Sequence, residues 1–188
     1  MTRENPLPDV WILSDERSEN RLDHVLITRR SPTGLVFRHY HLPMTERMDR
    51  FAALRDIARQ QGHTVVLARD PELARQWGAD GVYGALPAIA EATDMLRLAT
   101  AHDAAEIDAA NAAKVDGIFL SPVFPTRSHP GGATLGAMGF HVLAQRATVP
   151  VIALGGMNEK RAAELGWRRW GAIDAFSKKH FPTGLSAP

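Results

Sequence analysis

The 188-residue sequence has no cysteine, no marked excess of one charge and no long apolar run. The missing thiols exclude disulfide bonds, thiolate metal sites and a cysteine nucleophile, and they suit a reducing compartment. A formal net charge of +1 gives no reason to expect a nucleic acid or an anionic membrane as a partner. The first apolar run, Val10 to Leu13, is too short for a signal-peptide core or a membrane span. We therefore expect a soluble cytoplasmic protein.

The order of apolar segments predicts the fold class. The chain is long enough for a hydrophobic core, and we expect a single domain over residues 1–188. Segments of strand length alternate with segments of helical periodicity, which implies right-handed βαβ units and a parallel sheet. Strands are expected at Val10–Leu13, Leu35–His41, His63–Ala68, Asp80–Tyr83, Met95–Ala99, Gly117–Leu120, Val149–Leu154 and Ile173–Phe176. Eight strands predict a small (β/α)8 TIM barrel with a shortened C-terminal end, and an open doubly wound sheet is the alternative.

The strand at Gly117–Leu120 leads into a long loop rich in proline, glycine, serine and threonine. Such a composition continues neither a strand nor a helix, and long loops in compact domains are usually functional. Thr126, Ser128 and His129 carry donors for an oxyanion, and Arg127 adds positive charge. We interpret this loop as a ligand contact. The alternative is that its polar groups only satisfy the loop backbone.

A pair of glycines, Gly155 and Gly156, follows the seventh expected strand. Glycines at such an exit allow a phosphate to approach main-chain N–H groups, and the next helix, with Asn158 as its expected N-cap, favours negative charge. In a barrel, Ser177 would lie after the last strand at the same end. These residues predict a phosphate site, although a turn that merely needs glycine torsions would look the same.

Three segments in a fixed order, DGVYG, SPVFPTRSHPGG and PVIALGGM, resemble the thiamine phosphate synthase and TenI superfamily. The resemblance extends from about Trp11 to Ser177. It implies a TIM barrel that binds a small phosphorylated heterocycle, a thiazole phosphate. Synthases of this family join that ligand to an aminopyrimidine methyl diphosphate with Mg²⁺ and release pyrophosphate, whereas TenI proteins bind the thiazole and can tautomerise it.

The resemblance also assigns residues to the thiazole phosphate half of the site. Thr126 and Ser128 match the P-T-x-T loop on the thiazole side. Gly155 and Gly156 match the turn that holds the phosphate, and Ser177 matches a final-strand serine that completes it.

The half of the site that holds the diphosphate departs from the family pattern. The second-strand pattern V-Q-L-R-x-K keeps Arg38 but has Val36 and Tyr40 at the glutamine and lysine positions. The N-D-R pattern after the third strand is replaced by Ala68-Arg69-Asp70. The aspartate thus stands one position later than in the family. We therefore expect Arg38, Arg69 and His129 to offset diphosphate charge, and Asp70 is the candidate Mg²⁺ ligand.

Two histidines are candidates for proton transfer. His102 matches a family S-T-H segment before the fifth helix, and its ordinary pKa near neutrality suits either direction of transfer. His129 takes the position of the loop lysine, while Pro122 stands where TenI proteins have a histidine. A helix-capping role is the alternative for His102. Three functions stay open: a synthase, a non-catalytic or regulatory ligand-binding relative, and a tautomerase that uses His102 or His129 as the base.

One aromatic and basic cluster suggests a contact rather than a reaction. Arg168 and Arg169 lie between Trp167 and Trp170. We interpret this segment as a solvated rim or as a contact within a homo-oligomer, and not as a nucleic-acid surface.

Overall fold

The computed structural model describes residues 7–127 and 131–176 of the chain. Eight strands pair in sequence order, and β8 pairs with β1, so that the sheet closes into an all-parallel barrel. This confirms the predicted (β/α)8 class. The strands are β1 Val10–Leu13, β2 Thr33–Phe37, β3 Thr64–Ala68, β4 Gly81–Ala85, β5 Leu96–Ala101, β6 Gly117–Leu120, β7 Val151–Ala153 and β8 Trp170–Ala172.

Helices follow the first seven strands and cover the outside of the barrel. They are α1 Leu22–Thr28, α2 Met44–Gln60, α3 Pro71–Gln76, α4 Leu86–Ile89, α5 Ala104–Ala112, α6 Gly136–Ala144 and α7 Glu159–Leu165, with 3-10 turns at Glu16–Arg21 and Asp174–Phe176. The side chain of Asn158 accepts from the Arg161 N–H and caps α7, as predicted. None of the described helices is long and apolar enough to cross a membrane.

Two hydrophobic layers hold the barrel together, one inside it and one between the strands and the helices. Trp11 belongs to the inner layer, where its ring meets Phe119 edge-on at 5.6 Å between centroids. Gly34 makes room for the indole, because a Cβ at this position would lie 2.1 Å from Trp11 Cε3. The centre of the barrel is therefore filled by side chains, and a ligand site must lie at one of its ends.

A buried histidine holds the amino-terminal end of β2. His63 Nε2 lies 2.9 Å from the Leu26 carbonyl oxygen, and the Thr33 N–H donates to His63 Nδ1 at 3.3 Å. These contacts fit a neutral ring that donates through Nε2 and accepts through Nδ1. Burial lowers the pKa of His63, in agreement with the neutral form.

Two strand predictions were wrong by more than two residues at an end. β2 ends at Phe37 instead of His41, and His39 has φ +38, outside the strand region. The last strand lies at Trp170–Ala172 instead of Ile173–Phe176. A Cβ at Gly171 would come within 3.1 Å of both Leu13 and Phe119, so the closing strand uses a small residue where β-branched residues are expected.

Candidate active site at the barrel mouth

The predicted site residues follow different strands but meet at one end of the molecule. Because the strands are parallel, the loops after their carboxyl ends form a common surface, which we call the barrel mouth. Arg38 follows β2, Arg69 follows β3, Thr126 follows β6, and Gly155 and Gly156 follow β7. The remaining candidates in this group, Ser128, His129 and Ser177, lie outside the described residues.

The glycine pair packs tightly against the loop that follows β6. Gly155 and Gly156 have φ values of +95 and +62, in the region that favours glycine. A Cβ on Gly155 would lie 2.7 Å from Pro122 Cα, and one on Gly156 would lie 2.5 Å from the Pro125 carbonyl oxygen. The Phe124 N–H also donates to the Gly155 carbonyl at 3.1 Å. Both the torsions and the close approach therefore require glycine here.

The same turn presents main-chain donors at the mouth. Within residues 7–127 and 131–176, the N–H groups of Gly155 and Gly156 donate to no protein acceptor. The carbonyl of Gly156 is engaged, since it accepts from the guanidinium of Arg161, which also lies over the Phe124 ring at 5.2 Å. The turn is thus held from its carbonyl side and leaves its amide side for an anion.

Two arginines and two tyrosines cluster on the opposite part of the mouth. Arg69, with φ +77, places its guanidinium 4.8 Å from the centroid of the Tyr40 ring. Burial raises the pKa of Tyr83, which lies in β4, to about 12, while the charges of Arg38 and Arg69 act in the opposite direction. Both guanidinium groups are therefore close enough to Tyr83 to act on its phenol. This arrangement places two cations beside a neutral hydroxyl, a set of donors suited to an anionic ligand.

An ionic network connects Arg38 to the loops after β1, β6 and β8. Arg38 Nη2 lies 3.8 Å from Asp15 Oδ2, and Arg17 pairs with Asp15 at 2.6 Å and with Asp174 at 2.9 Å. Arg127 reaches the same Asp174 carboxylate at 2.8 Å. The network spans the part of the mouth formed by the loops after β6, β8, β1 and β2, and only Arg38 and Arg127 among its members were singled out from the sequence. Asp15 and Arg17 pair within the loop after β1, and barrel closure brings this pair to Asp174 after β8.

A cleft of about 340 Å³ opens beside this network. It is lined by two short segments, residues 15–17 after β1 and residues 38–41 after β2. Arg38 therefore borders an open space at the mouth with part of its side chain still accessible.

Asp70, which was predicted as a Mg²⁺ ligand, has a structural role as a helix cap. Its side chain caps α3 by accepting from the Leu73 N–H at 2.9 Å. Within the described ranges, no group of three or more histidine, aspartate or glutamate side chains is placed to hold a metal ion. Mg²⁺ often binds through one or two carboxylates together with substrate phosphates and water, so an ion here would depend on ligand oxygens.

His102 is bound to its own helix. Its Nδ1 lies 2.8 Å from Glu106 Oε2, and its main-chain N–H donates to the same oxygen at 2.7 Å. Asp103 caps the first turn of α5. The N-cap of α5 is therefore Asp103 and not His102, which pairs with Glu106 of the first turn. The role of His102 in proton transfer stays a prediction.

The family model for thiamine monophosphate synthase matches residues 13–172. A thiamine-phosphate synthase of Bacillus velezensis is 31% identical over 140 residues, which cover 69% of this chain and 62% of that protein. One from Chloroflexus aurantiacus is 25% identical over 140 residues, with 71% of this chain and 65% of that protein covered. The aligned part of the chain thus spans somewhat less than two thirds of these relatives.

Solved structures show the same fold. A thiamine phosphate pyrophosphorylase from Pyrococcus furiosus superposes with a TM-score of 0.75 at 20% identity, covering 91% of this chain and 88% of that one. A 2-keto-3-deoxy-6-phosphogluconate aldolase of Zymomonas mobilis superposes with a TM-score of 0.62 at 13% identity, covering 88% and 81%. At such identities the likeness concerns the barrel alone. The family model, which matches most of the chain, carries the assignment: this protein belongs to the thiamine phosphate synthase and TenI superfamily.

Proposed function

We propose that the chain binds a thiazole phosphate, or a similar small phosphorylated heterocycle, and couples it to an aminopyrimidine methyl diphosphate. The observation that carries this proposal is the Gly155–Gly156 turn, whose left-handed torsions suit a phosphate, as do its amides, which have no acceptor among the described residues. Arg38 and Arg69 supply positive charge at the same mouth, where a diphosphate would leave.

The chemistry requires alignment and charge neutralisation more than proton transfer. The thiazole nitrogen attacks the methylene carbon of the pyrimidine substrate, a C–N bond forms, and the C–O bond to the diphosphate breaks. The departing pyrophosphate takes the electron pair of that bond. Arg38 and Arg69 stabilise the charge that develops on its oxygens, and the glycine turn holds the thiazole phosphate in line. Thr126 and Ser128 are assigned to the thiazole side, and His129 is assigned with the two arginines to the diphosphate charge.

Asp70 would be the protein ligand of a Mg²⁺ ion at this site. A bound ion would neutralise charge on the diphosphate oxygens. Asp70 would have to bind it while capping α3, which leaves one carboxylate oxygen free of the observed cap. The positive charge of Arg69 beside Asp70 supplies part of the same neutralisation from the chain itself.

The use of Asp70 as a helix cap favours a second candidate function. In that case the chain would be a non-catalytic binding protein that keeps the phosphate turn and no longer binds the metal diphosphate.

Calorimetric titration with thiazole phosphate separates these functions when the pyrimidine diphosphate is then added with and without Mg²⁺. Formation of thiamine phosphate would support the synthase, and its Mg²⁺ dependence would report on Asp70. Binding of thiazole phosphate without product would support the binding protein. An absence of binding would refute the phosphate assignment at Gly155 and Gly156.

A matched pair of variants tests the arginine assignment. Arg69→Ala should slow product formation, because it removes a charge at the mouth. Arg75→Ala removes an arginine of α3 that pairs with Asp94 at 2.8 Å, and it should leave turnover unchanged. Equal rates for Arg69→Ala and the unmodified protein would contradict the assignment.

A further inference from the structure

The main chain of Arg38 is held by side chains instead of by the sheet. Arg38 lies one residue beyond the end of β2. Its N–H donates to Ser14 Oγ at 3.0 Å, and its carbonyl accepts from Arg47 Nε at 2.9 Å. The direction in which its guanidinium leaves the backbone therefore depends on two residues from other elements.

Ser14 is itself held by a buried chain of hydrogen bonds. Ser14 and His39 have no exposed surface, and Ser14 Oγ lies 2.8 Å from His39 Nδ1. His39 Nε2 contacts the carboxylate of Glu19. A neutral His39 donates through Nε2 to Glu19 and accepts the Ser14 hydroxyl proton at Nδ1. The Ser14 oxygen then remains an acceptor for the Arg38 N–H.

The surroundings of this chain restrict its movement. The His39 ring stacks on Phe37 with a centroid distance of 4.6 Å and an interplanar angle of 2°. His39 also has φ +38, a conformation that a histidine adopts only when other contacts hold it there. On the other side, the guanidinium of Arg47 lies among three aromatic rings, the nearest of which is Tyr40 at 5.2 Å.

We propose that Ser14, His39 and Glu19 are positioning residues that orient Arg38 toward the leaving diphosphate. This inference rests on the proposed function, because it takes Arg38 as a diphosphate ligand. None of the three needs to touch the ligand. Their contribution passes through the Arg38 main chain, and it must vanish when the Arg38 side chain is removed.

The test is a double-mutant cycle with inorganic pyrophosphate as the probe, read by calorimetry on Ser14→Ala, Arg38→Ala and the double variant. We expect Ser14→Ala to weaken pyrophosphate binding about tenfold, because a tenfold change in affinity corresponds to the net free energy of roughly one hydrogen bond. In the Arg38→Ala background the same change should have no effect. A purely structural role of Ser14 would give the same loss in both backgrounds.

A second pair of variants keeps the test decisive if Ser14→Ala folds poorly. His39→Asn keeps an acceptor for Ser14 and tolerates positive φ, whereas His39→Ala loses the acceptor. We expect His39→Asn to bind pyrophosphate more tightly than His39→Ala. His63→Gln, a change to a buried histidine at the opposite end of β2, serves as the control that should leave binding unchanged.

The outcomes separate the inference from the function on which it rests. If Arg38→Ala weakens binding but the Ser14 and His39 variants do not, the positioning role is refuted and the diphosphate site stands. An undiminished Ser14→Ala effect in the Arg38→Ala background also refutes it. Unchanged binding by Arg38→Ala refutes the diphosphate assignment, and the inference with it.

Discussion

Replacing Gly155 by alanine should destabilise the protein far more than a glycine-to-alanine substitution at a position where the new Cβ meets no other atoms. The residue has φ +95, and the new Cβ would lie 2.7 Å from Pro122 Cα and 3.1 Å from the Val123 nitrogen. Both neighbours are backbone atoms, so they cannot rotate away. The torsion costs about 1–2 kcal/mol, and overpacking costs about 1–3 kcal/mol more. We therefore expect Gly155→Ala to lower the free energy of unfolding by about 2–5 kcal/mol, a large part of the total for a typical domain.

Gly166→Ala is the matched control. Gly166 ends α7 with φ +64, but a Cβ there would meet nothing within 4 Å. It therefore carries the torsional cost without the collision. Urea unfolding followed by tryptophan fluorescence and circular dichroism would give both values, provided that the two signals coincide. Equal losses in the two variants would show that the loops after β6 and β7 do not pack as closely as described.

Three further predictions concern titratable groups. The pKa of His63 in the folded state lies below its ordinary value of 6.5, so the free energy of unfolding should be greatest above pH 6.5 and fall as the pH drops through that value. His63→Gln should flatten this pH dependence, as measured by urea unfolding between neutral and acidic pH. The chain has two tyrosines, so the phenolate absorbance of the Tyr40→Phe variant reports on Tyr83 alone. Tyr83 should titrate near pH 12, and a midpoint near pH 10 would show that its phenol is hydrated. Asp70→Asn should keep the cap of α3 and nearly the full free energy of unfolding, whereas Asp70→Ala should lower that free energy by about 0.5–2 kcal/mol. An equal loss in both variants would contradict the capping role.

Several features of the molecule could be predicted because neighbouring residues determine them. The cap of α7 needs only Asn158 at the start of a helical segment, and the turn after β7 needs only two adjacent glycines. The alternation of strands and helices likewise follows from local periodicity. These are the parts of the fold for which the predictions were confirmed.

The errors lie where contacts distant in sequence decide the outcome. β2 ends at Phe37 and not at His41 as predicted, because the Arg38 N–H is bound by Ser14 and leaves the ladder. β8 has glycine at its centre because Phe119 and Leu13 occupy the space that a larger side chain at position 171 would need. Sequence periodicity contains neither piece of information.

In the candidate site, too, some features follow from neighbouring residues and others from contacts distant in sequence. The residue types at its centre, two glycines after one strand and an arginine after each of two others, can be read from the sequence together with its family resemblance. Their meeting at one mouth depends on closure of the barrel, because only closure brings the ends of β1 and β8 together. The ionic network through Asp15, Arg17 and Asp174, and the hydrogen-bonded chain that holds Arg38, were therefore decided by the tertiary structure, since each joins segments that lie far apart along the chain and interact only across space.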